Sequence, residues 1–370
     1  AAGSSSASDD DDNDDGDNTP SKPSSSSSSP TATAAARHRP TPFRATISPQ
    51  HGEKRRALPV FACRAALVSA LRRHATIIVE GETGSGKTTQ IPQYLLEEGW
   101  ARSGRMIAVT QPRRVAAMSV AERVSEEVGC RLGGRVGYRV RFDDTTTGGV
   151  TQIKFMTDGM LLRESMIDPM LSKYACIILD EAHERTLHTD ILFAVVKQIQ
   201  ERRNAKDHNA ATTALATTTT AAALPSRRRL SLVVMSATLD TEMFSTYFNG
   251  APVYSVPGRT FPVDIFYAVA PQSDYVAATL TSILQTHADA GRTEGDILVF
   301  LTGQEEIEDM ARLLRDRRAR LPNDCAVRDS QCPMLDLLPC PIYSAIPTEQ
   351  QMLAFAKVSA APQSPPFLFV

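Results

Sequence analysis

Apolar residues fall along this chain in short continuous runs, separated by longer stretches of mixed polarity. The runs cover Thr76 to Glu80, Met106 to Thr110, Cys176 to Leu179, Leu232 to Met235, Ile265 to Val269 and Ile297 to Leu301. A strand that is apolar on both faces is covered on both faces, as in a parallel sheet between helical layers. Helical stretches between the runs supply the crossovers, so the pattern predicts an α/β fold of βαβ units with parallel sheets. One such stretch, "KTTQIPQYLLEEG" (87–99), holds Pro92, whose missing N–H and ring predict a distorted second turn.

The same pattern divides the chain. Residues 1–55, with "DDDDNDDGD" and "SSSSSS", hold too little apolar surface to offset chain entropy and are expected to be a disordered acidic, serine-rich tail. A first domain is expected over 56–252 and a second, incomplete one over 253–370; "APVYSVPGRTFP" (251–262), with three prolines and a glycine, marks the boundary. The Ala/Thr-rich 204–229 and the Pro/Cys-containing 321–341 read as surface excursions.

Charge and composition narrow the class only slightly. The formal charge of −2 is dominated by the first forty residues, where seven aspartates face Lys22, Arg37 and Arg39, so the remainder is close to neutral and argues neither for nor against nucleic acid. No apolar segment approaches the roughly 18 residues of a membrane span, so no membrane partner is expected. The tail is too acidic for an organellar transit peptide, and no Met stands at its start, which fits a piece of a longer chain. Six scattered cysteines without a signal peptide suggest reduced thiols; Cys325, Cys332 and Cys340 are too widely spaced for a zinc site.

Two segments carry chemistry. "TIIVEGETGSGKT" (76–88) is a strand running into Gly81-x-x-x-x-Gly86-Lys87-Thr88, the phosphate-loop pattern. Its glycines let backbone N–H groups wrap phosphates, its lysine reaches the β and γ oxygens, and its hydroxyl binds Mg²⁺. The following helix offers an N-terminus that favours anions. "CIILDEAHERTLH" (176–188) ends a buried strand in Asp180-Glu181. His183 and His188 are five apart, about 140° round a helix, and do not converge on one zinc ion. Asp180 and Glu181 suit phosphate chemistry instead, in which one acid holds Mg²⁺ while its neighbour polarises water. The clamp is expected on two adjacent strand tips.

Seven blocks stand in order: GETGSGKTTQ (81–90), TQPRRVAA (110–117), TDGML (157–161), DEAH (180–183), SAT (236–238), LVFLTGQEEIE (298–308) and YSAIPTEQQ (343–351). Together they resemble the DEAH-box RNA helicases of superfamily 2, over about residues 57–357. The resemblance implies two RecA-like domains and ATP-driven movement on, or remodelling of, RNA or ribonucleoprotein. It implies that Gly81, Glu82, Thr83, Gly84, Ser85, Gly86, Lys87, Thr88 and Thr89 hold ATP, or another NTP. It further implies that Thr88 and, through water, Asp180 hold Mg²⁺, that Glu181 positions or deprotonates water, and that His183 couples to Ser236 and Thr238. Arg113, Arg114 and Thr157, with Thr302 and Gln304 of the second domain, would line the RNA backbone groove, and Arg123 and Phe355 would sandwich the adenine. Residue chemistry alone leaves His183 open to a packing role, the arginine pair to a solvated face and Phe355 to a core.

The pattern breaks at Val370, before the family's Thr-Asn block and the arginines that reach the γ-phosphate. Such an arginine finger contributes 10³ to 10⁵ in rate. The expectation is therefore a helicase family member that binds nucleotide weakly and turns over little as given. Competing expectations are a non-enzymatic RNA- or protein-binding product and an ATPase acting on DNA or protein. A monomer, a protein activator and a nuclear or nucleolar home complete the expectations.

Overall fold

A computed structural model describes residues 49–102, 104–213, 229–237, 241–258, 261–290, 295–320, 338–354 and 367–369. In chain order the first part contains α1 (Pro49–Arg56), α2 (Arg64–Arg73), β1 (Thr76–Gly81), α3 (Lys87–Glu97), β2 (Met106–Gln111), α4 (Arg114–Val128), β3 (Val136–Val140), β4 (Asp143–Thr145), β5 (Ile153–Thr157), α5 (Asp158–Ile167), β6 (Tyr174–Leu179), α6 (Leu187–Thr213), β7 (Ser231–Ser236), α7 (Thr241–Tyr247) and β8 (Val253–Val256). Then follow α8 (Tyr275–Ala290), β9 (Ile297–Leu298), α9 (Gln304–Arg320), β10 (Leu338–Cys340), α10 (Thr348–Leu353) and β11 (Phe367–Phe369).

Eight strands form one sheet in the order β4-β3-β5-β2-β6-β7-β1-β8, with every pairing parallel except β3 with β4. Side chains alternate across a strand, so each buried run feeds two layers. Ile77, Val79, Cys176, Ile178, Val233 and Met235 face one layer with Leu71, Ile91, Leu95, Ala121 and Val124 of α2, α3 and α4. Ile78, Ile177, Leu179, Leu232 and Val234 face the other with Leu161, Leu192, Val196 and Phe244 of α5, α6 and α7. Fully burying each such side chain stabilises the fold by roughly 1.5–3 kcal/mol. The second sheet is small, β10-β11-β9, all parallel. Its helices α8 and α9 contribute a core of Ile283, Ile307, Met310 and Leu314.

Several boundaries move. The expected tail reached residue 55, yet Pro49–Arg56 is helical and Arg55 is buried, donating to Gln90 at 2.7 Å and Glu97 at 2.8 Å. Helix α6 runs ten residues into the expected excursion at 204–229. Val253–Val256, beyond the expected boundary at 252, pairs with β1 and belongs to the first sheet. Helix α3 is unbroken across Pro92.

Ile265–Val269 is not a strand. Phe266 and Tyr267 are 89% and 86% exposed, and no strand pairs with the run among the described residues. An apolar run becomes a strand only where a ladder and a covering layer meet it. Of the expected Ile297–Leu301 only Ile297–Leu298 is a strand, although Val299 and Leu301 also pack against the second core. Conversely β3, β4, β5 and β8 carried no apolar-run signal. In β5, "IKFMT", Lys154 interrupts the run, yet it is buried because Glu164 of α5 accepts its ammonium at 2.6 Å. In β3, Gly137 lets β4 approach: a Cβ there would lie 2.2 Å from the Thr145 carbonyl oxygen.

Candidate active site

Open α/β sheets take ligands at the carboxyl ends of their strands. Along that edge the strand order sets out Thr157 of β5, Gln111 of β2, Asp180 just beyond β6, Ser236 of β7 and Gly81 of β1. The expectation of two adjacent tips for the clamp is corrected here, because β7 stands between β6 and β1. At the usual strand spacing the gap is about 10 Å. The first turn of α3 crosses it, and Thr88 Oγ1 donates to Asp180 Oδ2 at 2.6 Å.

The phosphate loop needs its glycines. Gly84 and Gly86 adopt φ of +81° and +89°, which a side chain would strain, and Gly86 caps α3. Ser85 is fully buried and its hydroxyl donates to the Glu82 carbonyl at 2.7 Å, closing the loop. Glu82, Thr83 and Gly84 form an exposed rim, while Thr88 and Thr89 are half-buried. The Lys87 ammonium lies inside the loop and donates to the Gly81 and Glu82 carbonyls and to Ser85 Oγ. Burial lowers its pKa, opposed by the negative charges of Asp180, Glu181 and Glu82.

Asp180 is 1% exposed. Burial is the main cause that pushes its pKa up to about 6; Glu181 acts in the same direction, while the Thr88 hydroxyl, the Glu181 N–H and Lys87 oppose it. The Gln111 amide donates to Asp180 Oδ2 at 2.6 Å and the Glu181 N–H to Oδ1 at 2.9 Å. Glu181 and Arg185 both hold φ near +50°, at +52° and +46°, on either side of the short helical turn Ala182–Glu184. Left-handed non-glycine residues cost roughly 1–3 kcal/mol and persist where their surroundings over-determine them. The strained turn places His183 Nδ1 3.5 Å from Glu181 Oε2 and 3.2 Å from Ser236 Oγ.

Of the residues expected to face RNA, Arg113 precedes α4 with its side chain 76% exposed and 3.3 Å from Glu184. Arg114 opens α4 and Thr157 caps α5, both at the same sheet edge. Thr302 is committed locally: its N–H and its hydroxyl both donate to Glu306 Oε2, at 3.1 and 2.8 Å. Gln304 donates to Glu308 at 3.2 Å. Arg123 lies on α4 with its Nε 2.9 Å from Glu127. Thr238 and Phe355 lie outside the described residues, as do Cys325 and Cys332. Among the described residues no three His, Cys, Asp or Glu side chains cluster as an all-protein metal cage.

Four residues of this region were given no role by the sequence, although Gln90, Gln111 and Asp158 stand within the quoted blocks. Gln111 stood one residue past the run Met106 to Thr110, in the TQPRRVAA block, with no part assigned to it. Gln90 and Glu127 form a buried bridge between α3 and α4. Asp158 is 3% exposed, accepts from Thr189 at 2.5 Å, and has its pKa raised mainly by burial. Glutamines and acids in helices ordinarily read as surface positions, and only tertiary packing reveals the exceptions.

The family described as DEAD/DEAH box helicase matches residues 62–245. The chain is 47% identical over 340 residues to the pre-mRNA-splicing factor ATP-dependent RNA helicase DEAH10 of Arabidopsis thaliana, covering 86% of this chain and 46% of that protein. It is 50% identical over 302 residues to the ATP-dependent RNA helicase DHX33 of Homo sapiens, covering 82% and 38%. Against the pre-mRNA-splicing factor ATP-dependent RNA helicase prp22 of Schizosaccharomyces pombe it is 46% identical over 312 residues, covering 84% and 24%. The chain thus spans less than half the length of these relatives. By this family match and these identities the chain belongs to the DEAD/DEAH-box helicases and is similar to their DEAH-box RNA helicase members.

Proposed function

We propose that the chain carries the ATP-hydrolysing part of an ATP-dependent RNA helicase, built from two RecA-like units that divide after Val256. The observation that carries the proposal is the 2.6 Å contact between Thr88 and Asp180, with the Lys87 ammonium inside the adjoining loop. A hydroxyl and a carboxylate side by side are hard oxygen donors, which fits Mg²⁺, an ion that takes one or two protein carboxylates and completes its shell with water and phosphate oxygens. Thr88 and Asp180 would hold it, and when bound it neutralises charge between the β and γ phosphates.

The chain's own residues do the rest. Gly81 to Thr89 wrap the phosphates, and Lys87 exchanges its loop carbonyls for their oxygens. Glu181, fixed by its strained turn, orients the attacking water and accepts its proton. His183, between Glu181 and Ser236, links that base to the end of β7 and so to the domain movement. Arg113, Arg114 and Thr157 lie along the same edge and meet the RNA backbone, where contacts fix position without reading sequence. Thr302 acts from the second unit, and Arg123 and Phe355 hold the base. Relatives named as splicing factors support a nuclear site of action on ribonucleoprotein, with a protein activator and a monomeric chain.

The test is Mg²⁺-dependent ATP hydrolysis with and without single-stranded RNA at fixed salt, since backbone binding is steeply salt-dependent. Expected is stimulation by RNA in the unmodified chain and loss of turnover in Lys87→Ala and Glu181→Gln. Turnover that survives Lys87→Ala would overturn the assignment.

A further inference from the structure

Helix α4 carries one acid that is nowhere near solvent. Glu127 is 4% exposed; it sits one turn beyond Arg123, on the face of α4 that buries Val124, Ser125 and Val128, while Glu126 beside it is exposed. Its two oxygens serve different partners. Oε2 accepts from the side-chain amides of Gln90 and Gln93, both at 2.8 Å. Oε1 accepts from Arg123 Nε at 2.9 Å. Burial alone would raise this carboxyl's pKa, but hydrogen bonds from Gln90, Gln93 and Arg123 outweigh it and hold the group below the ordinary glutamate range.

The other end of the bridge leads into the phosphate loop. Gln90 Nε2 also donates to Thr89 Oγ1 at 3.0 Å, and Gln90 Oε1 accepts from the buried Arg55 at 2.7 Å. Gln93 Nε2 donates to the Thr89 carbonyl at 2.9 Å. One carboxylate therefore fastens the first turns of α3, which hold phosphate, to the arginine on α4, whose side chain remains 40% exposed. The guanidinium is pinned through Nε, the atom nearest its stem, and its Nη1 lies 3.9 Å from Glu126 Oε2, so its planar face is oriented. A pre-oriented group loses less entropy when a ligand stacks on it.

From this geometry we infer that Glu127 is a positioning residue for nucleotide binding: it sets Arg123 against the base while anchoring the phosphate-loop helix. The inference rests on the reading of Arg123 as a base contact. It assigns Glu127 no contact with nucleotide.

Glu127→Gln separates the two roles. A glutamine offers one acceptor and one donor group. With its carbonyl oxygen kept toward Gln90 and Gln93 it preserves two bonds, and its NH₂ then faces the Arg123 Nε–H, donor against donor. The opposite orientation would sacrifice both glutamine bonds to keep one, so the substitution releases the arginine and spares α3. Calorimetric titration of the full chain with Mg–ATP and with Mg–tripolyphosphate, which has no base, reads the difference. Expected is an about fivefold weaker Kd for ATP, the order a charge-assisted bond partly open to water delivers, with tripolyphosphate changed less than twofold. Arg123→Ala should weaken ATP by a similar factor, and Glu127→Gln should add nothing on that background. Equal weakening of both ligands, or an undiminished effect of Glu127→Gln without Arg123, would overturn the positioning role. If Arg123→Ala left ATP binding unchanged, the base contact itself would fall and the inference with it, while loss of all nucleotide binding in the unmodified chain would instead overturn the proposed function.

Discussion

Asp180 Oδ2 accepts two hydrogen bonds at 2.6 Å, from Thr88 Oγ1 and Gln111 Nε2. The first donor is itself a proposed metal ligand; the second only holds the carboxylate in place. Residues that orient a metal ligand without touching the ion typically contribute 10–100-fold to metal affinity or activity. Gln111→Leu keeps the volume and removes the donor, so the Mg²⁺ concentration needed for half-maximal ATP hydrolysis is expected to rise roughly tenfold, while the fold and the ATP-independent melting temperature stay close to the original. An Mg²⁺ titration of the ATPase rate checks it; an unchanged midpoint would show that Asp180 needs no such support. The two halves of this site were unequally legible. Lys87, Thr88, Asp180 and Glu181 sit in spacings that chemistry dictates, whereas Gln111 and Glu127 gain their importance only from what the fold brings beside them.

At the scale of elements, α5 is tied to the sheet through one acid. Glu164 accepts from Lys154 of β5 at 2.6 Å, from Arg139 of β3 at 2.9 Å and from the Tyr174 hydroxyl of β6 at 2.5 Å. Burial opposes its ionisation, but these bonds and charges outweigh burial and lower its pKa from the ordinary 4.5. A depressed carboxyl contributes stability that is present above its unfolded pKa and is lost as pH falls through the folded value. Glu164→Gln leaves the buried Lys154 without its counter-charge and is expected to cost about 2–3 kcal/mol at pH 7. The difference in Tm from the unmodified chain should shrink as pH drops below the ordinary glutamate value, because the parent acid then becomes protonated too. A difference that persists unchanged at low pH would mean the cost is packing alone. This same ion pair explains why β5 was invisible as a run: pairing hides a lysine in a buried strand, and an apolar pattern has no means of showing it. Strands β1, β2, β6 and β7 were legible because both faces of each are apolar. The run at 265–269 shows the converse, since its apolar residues meet neither a paired strand nor a covering layer among the described residues.

For the molecule as a whole, both core layers of the first sheet close before the second sheet begins. The last member of one layer is Val256 and of the other Ala251. Beyond them the second core buries Ile283, Ile307, Met310 and Leu314, while Leu298 and Phe300 are 60% and 85% exposed. Among the described residues this core is far smaller than either layer of the first sheet. Most of the buried apolar residues described therefore lie in the first unit. A polypeptide of residues 49–258 keeps both layers, the edge pairing of β8 with β1 and the buried bridge from Arg55 to Glu127. It is expected to unfold in one cooperative transition, with a Tm within about 5 °C of the parent, a shift of order 1–2 kcal/mol for a domain of this size. Residues 259–354 alone are expected to show no cooperative melt. Near-ultraviolet circular dichroism and dye binding distinguish the outcomes: a 49–258 chain that kept its secondary structure, lost its fixed aromatic signal and bound dye would show loosened packing. That result would place essential core contacts in the second unit, and the division after Val256 would no longer describe how this chain is held together.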